Sequence, residues 1–183
     1  MKQCPVCNDE LNKGYLESGL PAYNCIQCGG VWLSANEYLM WLRIQSSPDC
    51  QKEVIDLPLQ ITDSKQAILC PDCGRILHRY KISPDIEFHL DRCGRCNGVW
   101  FDQNEWQALK AQGLHGQVNM FFTEPWQRKL RQEETRRRFE RMYCNRFGGE
   151  DYAEIKRIKS WLIEHPQRSG LLAYLLDQDP YRG

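Results

Sequence analysis

Between Ile76 and Leu90 the chain alternates. Ile76, His78, Tyr80 and Ile82 interleave with Leu77, Arg79 and Lys81, and after Ser83-Pro84-Asp85 the residues Ile86, Phe88 and Leu90 interleave with Glu87, His89 and Asp91. Period-two alternation on both sides of a turn predicts a β-hairpin with one apolar face, His78 on that face and His89 on the polar one. A weaker version stands earlier, with strands expected around Leu11–Leu16 and Ala22–Asn24 about a Ser18-Gly19 turn.

Each hairpin is followed by a switch to helical periodicity. Ser34-Ala-Asn-Glu37 and Asp102-Gln-Asn-Glu105 both read as capping boxes, with an oxygen side chain at the N-cap and Glu three residues on. Tyr38, Leu39, Trp41 and Leu42 follow the first at helical spacing, and Trp106 and Leu109 follow the second. Pro48 is expected to stop one helix and Gly113 the other. Residues 48–67 read as a linker with one extended piece, Val54 to Ile61, broken by Pro58.

From Thr123 the pattern is helical throughout. Glu124-Pro125-Trp126 looks like a helix entry, 126–146 reads as a long helix ending at Gly148-Gly149, and its middle, Arg131 to Arg138, is polar all round. Asp151 to Glu164 places Ile155, Ile158, Trp161 and Leu162 on one face; Pro166 ends it, and Ser169 is a candidate cap for a last helix through Leu176. The expected divisions are therefore 1–47, 48–67, 68–122 and 123–183, with the last docked on itself, on an earlier segment or on a second copy.

The cysteines explain why the first and third segments can fold at all. Cys4-Pro-Val-Cys7 is answered by Cys25-Ile-Gln-Cys28, and Cys70-Pro-Asp-Cys73 by Cys93-Gly-Arg-Cys96, with 17 and 19 residues between the pairs. Two residues between cysteines make a knuckle that aims both sulfurs at one ion, and two knuckles give the tetrahedral S4 set that Zn2+ prefers. Two Zn2+ ions are expected, held by Cys4, Cys7, Cys25 and Cys28 and by Cys70, Cys73, Cys93 and Cys96. A disulfide framework is the rival for short secreted chains, but Met1-Lys2-Gln3-Cys4 enters the first knuckle with no apolar leader. Iron is the better rival, since Cys70-Pro-Asp-Cys73-Gly74 also reads as a rubredoxin knuckle. All four ligands come from protein, so each site is closed, structural rather than catalytic. Segments this short bury too little apolar surface to be comfortably stable without such a metal.

The formal charge is zero, but unevenly spread: 1–69 carries 5 basic and 8 acidic side chains, 123–183 carries 13 and 10. No apolar run approaches a membrane span, and reduced thiolates with no targeting signal suggest the cytoplasm. The fold class expected is α+β, small and metal-stabilised: two tandem zinc ribbons, each a hairpin plus a short helix, followed by an α-helical region.

The phrase Cys25-x-x-Cys28-Gly29-Gly30-Val31-Trp32-Leu33-x-x-x-Glu37, with its match at 93–105, resembles the transcription factor IIB-type zinc-ribbon family of small bacterial proteins. The resemblance implies a zinc-ribbon fold with the eight cysteines as ligands, over about 100 residues. Asp91 and Asp102 fit that family's pattern; Tyr23 and Ser34 depart from it in the first copy, and Asn97 replaces the first glycine in the second.

Other side chains have plain explanations. Trp32 and Trp100 could stack on bases, but their place between a knuckle and a helix favours core. Glu37 and Glu105 are explained as caps rather than as general bases. Cys50 and Cys144 stand outside any motif; Cys144, near Arg141 and Arg146, could have a lowered pKa. Residues 126–147 hold eight Arg or Lys and three Glu, and Arg128, Lys129, Arg131, Arg136, Arg137, Arg138 and Arg141 are the candidate phosphate-contacting residues. A solvated face balanced by neighbours such as Glu133 is the competing reading. With no open metal site, nucleophile–base pair or phosphate loop, no enzyme is expected. The expected function is a zinc-binding adaptor or regulator acting through a protein partner, with homo-oligomerisation through the tail possible; nucleic-acid binding is the alternative, and an iron electron carrier comes third.

Overall fold

A computed structural model describes residues 1–44 and 60–182 of the chain. The expected stop at Pro48, most of the 48–67 linker and Cys50 lie outside the described residues. In chain order the elements are β1 (Asn12–Glu17), β2 (Leu20–Asn24), β3 (Val31–Leu33), α1 (Ala35–Ile44), β4 (Leu77–Lys81), β5 (His89–Cys93) and β6 (Val99–Phe101). Then come α2 (Glu105–Ala111), a 3-10 turn His115–Gln117, α3 (Val118–Phe121), α4 (Glu124–Phe147), α5 (Gly149–Glu164) and α6 (Arg168–Leu176).

The fold is α+β, with two zinc-ribbon units and a helical C-terminal region. The six strands form one antiparallel sheet in the order β1-β2-β3-β6-β5-β4. Each ribbon supplies three strands, and the two meet edge to edge where Val31, Trp32 and Leu33 pair with Phe101, Trp100 and Val99. The sequence divides the chain at 47, 67 and 122. Packing divides it once, between Gln132 and Glu133, because a shared sheet leaves the ribbons no separate cores.

Two apolar clusters use opposite faces of the central strands, as period-two geometry requires. Trp32 and Trp100 join Cys4, Cys25, Cys70, Cys93, Leu11, Ile68 and Leu77 in one cluster. Leu33, Val99 and Phe101 join the other with Tyr38 and Trp41 of α1, Trp106 and Leu109 of α2, and Phe121 of α3. Val31-Trp32-Leu33 and Val99-Trp100-Phe101 are apolar at every position for that reason: central strands covered on both sides show no alternation. Each tryptophan is accommodated by a glycine of the opposite ribbon. A methyl group at Gly30 would overlap the Trp100 indole, and one at Gly98 would overlap the Trp32 indole.

The second hairpin departs from its expected pattern. Leu77 is buried against the cysteine-containing cluster and Ile82 against the other, while Ile76 and His78 are exposed. His78 is thus not on an apolar face; it lies over Gly94 at the sheet edge. Residues 86–88 are buried at Ile86 and Phe88 but are not in a strand, and pairing begins at His89.

Gly113, at φ 70°, stops α2 as expected, with Leu114 N donating to Leu109 O. Gln127 Nε2 donates to Lys81 O and Trp126 Nε1 to Ile82 O, which fixes the entry of α4 against β4. The helices expected near 126–146 and 151–164 are α4 and α5. Gln167, not Ser169, precedes the last helix, and no side chain caps it.

The second unit, Glu133–Gly183, packs differently. Leu162 is its one buried apolar residue among those described. It is held by stacking of Tyr143 on Tyr152 at 6.1 Å, a Lys156–Glu140 ion pair at 3.0 Å and a Tyr174–Tyr181 hydroxyl contact at 2.7 Å.

Candidate metal centres

Each of the four knuckles is built the same way. The backbone N–H of the residue four after the first cysteine donates to that cysteine's carbonyl: Asn8 to Cys4 and Asn97 to Cys93 at 3.0 Å, Gly29 to Cys25 at 3.0 Å, Gly74 to Cys70 at 2.9 Å. That residue is left-handed every time, at φ 62°, 61°, 71° and 68°. Glycine and asparagine are the residues that tolerate this conformation, so Asn97 replaces a glycine without loss of the turn. Backbone N–H groups of Val6, Asp72 and Arg95 then point at the sulfurs of Cys4, Cys70 and Cys93 at 3.4 Å.

The knuckles face each other in pairs across each ribbon. Cys4 Sγ lies 3.5 Å from Cys28 Sγ and Cys7 Sγ 3.4 Å from Cys25 Sγ; Cys70–Cys96 and Cys73–Cys93 repeat this at 3.5 and 3.4 Å. All four sulfurs of a tetrad fall within 4.8 Å of one another. A disulfide would need about 2.05 Å. A tetrahedron with metal–sulfur bonds of about 2.3 Å has edges near ~3.8 Å, so each tetrad fits one ion and no disulfide.

The thiols also need a cation electrically. Burial pushes Cys4 and Cys70 well above the ordinary thiol range, Cys28 up to about 11, and Cys96 upward. Burial opposes ionisation of Cys93 too, but N–H donors at Cys96 and Arg95 and the neighbouring thiols outweigh it and bring Cys93 down to about 6. Cys25 is lowered in the same manner by the Cys28 backbone and the Cys7, Cys28 and Cys4 thiols. Cys25 and Cys93 therefore take charge most readily, while burial discourages Cys4, Cys28, Cys70 and Cys96 from following. Holding four thiolates together requires a positive ion at the centre.

Residues 3–44 and 69–112 match the model of a family described as a transcription factor zinc-finger. Each ribbon thus matches one copy of that family's model, in tandem. No curated protein and no solved structure matches the chain. The family segments end before the two-unit boundary, so the helical region from Glu124 onward carries no such match.

The ribbons are tied together around their tryptophans. Trp32 Nε1 donates to Asp72 Oδ2 at 3.1 Å, inside the other ribbon's first knuckle, and Lys2 pairs with the same carboxylate. Glu17 of β1 accepts from Trp106 Nε1 at 3.0 Å and pairs with Lys110 at 2.8 Å. Both tryptophans are fully buried, as the core reading expected.

The two capping boxes diverge. Ser34 Oγ accepts from Glu37 N at 3.3 Å, an ordinary cap with Glu37 exposed. Asp102 does not cap: its Oδ1 accepts from Trp100 Nε1 at 2.7 Å and its Oδ2 from Ser64 N at 2.5 Å. Asn104, at φ 67°, precedes α2, and Glu105 opens the helix instead of sitting a turn inside it. Glu105 Oε2 still reaches back to accept from Asp102 N at 2.8 Å.

The seven basic candidates lie along α4. Arg131 pairs with Glu124 at 2.6 Å, Arg136 with Glu140 at 3.5 Å and Arg137 with Glu133 at 3.3 Å. Arg128, Lys129, Arg138 and Arg141 are exposed. At ~100° of rotation per residue the seven point all round the helix, so α4 gathers them on no single face. Cys144 is a half-buried free thiol. The carboxylates of Asp63, Asp91 and Asp102 around Glu105 were not a candidate site in the sequence. The signal for Asp91 was an acid between Leu90 and a buried knuckle; nothing local marks Asp63.

Among the described residues no helix is long and apolar enough to cross a membrane.

Proposed function

We propose that the chain is a non-catalytic zinc-binding adaptor of the cytoplasm, in which two Zn2+ ions lock the paired ribbons as a rigid platform and the helical unit engages a protein partner. Zinc is favoured over iron because the ribbons match a zinc-finger family and each tetrad is closed by protein sulfur. The carrying observation is the apolar surface of the second unit. Phe139, Met142, Ile155, Trp161, Leu175 and Leu176 are all exposed, Leu176 at 82%, beside a single buried leucine. So much uncovered apolar surface on so small a unit is what interaction surfaces have before they are filled.

Metal analysis of the purified chain should give two equivalents of zinc and no iron. For the adaptor role, affinity isolation from cells with the parent chain is compared with a Trp161→Asp/Leu175→Asp variant that retains both zinc ions. A partner held by the parent and lost by the variant is expected; equal recovery from both sinks the reading.

Nucleic-acid binding is the second reading, favoured by the exposed Arg128, Lys129, Arg138 and Arg141, for which no ion pair is seen among the described residues. Titration against random duplex DNA and single-stranded RNA at two salt concentrations tests it. Binding that weakens steeply with salt, and that Arg136→Ala/Arg137→Ala/Arg138→Ala reduces, supports it; no binding at low salt ends it.

A further inference from the structure

Four carboxylates converge at the corner where β6 turns into α2. Asp102 leaves β6, Glu105 opens α2, and Asp91 on β5 pairs in register with Trp100 of β6. Asp63 arrives from residues 60–64, which lie along the corner through Thr62 N to Gln103 O at 3.3 Å, Ser64 N to Asp102 Oδ2 at 2.5 Å and Asn104 Nδ2 to Gln60 O at 2.8 Å. Carboxylate oxygens of Asp63, Asp102 and Glu105 lie within 4.8 Å of one another. Asp91 and Asp102 are 5% and 7% exposed and Glu105 1%.

The positive groups facing them are few. Arg79 pairs with Asp63 and acts electrostatically on Asp91, and His89 Nδ1 stands 3.2 Å from Asp63 Oδ2. Four acids thus face one guanidinium and one imidazole in a corner largely shielded from water. Glu105 makes the deficit specific. Its Oε2 accepts from Asp102 N, while its Oε1 is fully buried with no hydrogen-bond partner among the described residues. A buried oxygen of this kind costs free energy unless something meets it.

A ribbon forms without Asp91 and Asp102. In the first ribbon the corresponding positions are Tyr23, Ser34 and an exposed Glu37, and the same hairpin, short strand and helix form. Asp91, Asp102 and the burial of Glu105 therefore distinguish the second ribbon from the first, where the matching Glu37 lies in water.

We propose that Asp63, Asp102 and Glu105, with Asp91 beside them, form a third metal site, for a divalent cation of the Mg2+ or Mn2+ class. An all-oxygen donor set selects hard cations over the thiolate-loving ions of the tetrads. The hydrogen bonds from Trp100 Nε1 and Ser64 N to Asp102 are the supports that orient a ligating carboxylate. Because Asp63 enters from the 60–64 segment, the ion fastens that segment to the second ribbon.

The test uses the full chain with its two zinc ions verified, titrated with Mn2+ while free Mn2+ is followed by electron paramagnetic resonance. One equivalent should vanish from the free signal, Mg2+ should compete for it, and the melting temperature should rise with Mn2+. Asp63→Asn, at a half-buried position that leaves the ribbon core untouched, should weaken binding by roughly ten-fold or more and remove the Mn2+-dependent rise. Glu105→Gln should abolish binding. No loss of free signal with the parent chain overturns the proposal and leaves the corner holding only a proton; binding unchanged in Asp63→Asn overturns it by placing the ion elsewhere.

Discussion

The two ribbons have the same four-sulfur knuckles and the same order of elements, yet they treat the residues around them differently. The first spends Ser34 on an ordinary helix cap and leaves Glu37 in water. The second buries Asp91, Asp102 and Glu105 and gives Asp102 to Trp100 and to the backbone of Ser64. The metal knuckles fix the fold, which leaves the adjoining corner free to diverge. A ribbon's scaffold and its corner chemistry are thus separable, and the separation can be tested.

The largest effect should come from the metals. Cys4, Cys25, Cys70 and Cys93 sit in one apolar cluster with both tryptophans, so losing either ion should unfold both ribbons. Structural zinc contributes roughly 10–16 kcal/mol of apparent free energy in small domains. Cys4→Ser and Cys93→Ser should each abolish the β-sheet circular dichroism of the whole sheet and shift tryptophan emission to the red. A first ribbon that stays folded in Cys93→Ser would show that the ribbons are independent.

Next are the reciprocal glycines. Gly30→Ala and Gly98→Ala each drive a methyl group into the other ribbon's indole. Overpacking of this kind costs about 1–3 kcal/mol, and the two losses should be similar in thermal or urea melts. A large loss in one and none in the other would mean that the contact is not symmetric.

The second ribbon's corner should then show in the pH dependence of stability. Burial, followed by the neighbouring Asp102, Asp63 and Asp91 charges, pushes Glu105 up to about 10 against an ordinary 4.5. Between those values the cation-free folded chain holds a proton that the unfolded chain has lost, so its contribution to stability falls as pH rises. One proton corresponds to about 1.4 kcal/mol per pH unit. Measured from pH 6.5 to 8.5 without added divalent cation, Glu105→Gln should gain on the parent at up to that slope. Parallel curves for Glu105→Gln and the parent would refute the assignment of Glu105 as a buried acid.

The smallest effect belongs to Ser34→Ala, which removes the cap on α1 and should cost about 1 kcal/mol in a urea melt. No change would mean that the 3.3 Å bond to Glu37 N contributes nothing.

Much of this was legible from local pattern. The eight cysteines, the Ser18-Gly19 turn, the stop at Gly113 and the long helix ending at Gly148 are each set by residues within a few positions of one another. The second hairpin misled because alternation assumes one wet face. Leu77 and Ile82 are buried against different clusters on opposite sides of the sheet, and Ile76 and His78 at the edge take the water. Asp102 misled because a capping box is recognised by spacing alone, and its carboxylate was claimed by Trp100 and Ser64.

By itself the sequence determined the metal sites, since a knuckle is a five-residue turn whose bonds close between Cys93 and Asn97 or their equivalents. Only the tertiary structure decided that the two ribbons are one sheet and that Asp63 meets Glu105. Both facts rest on contacts between positions some 40 to 70 residues apart. Their energy depends on shape, as with Gly30 beneath Trp100, and on the crowding of buried acids at one corner. Neither quantity exists until the chain has closed.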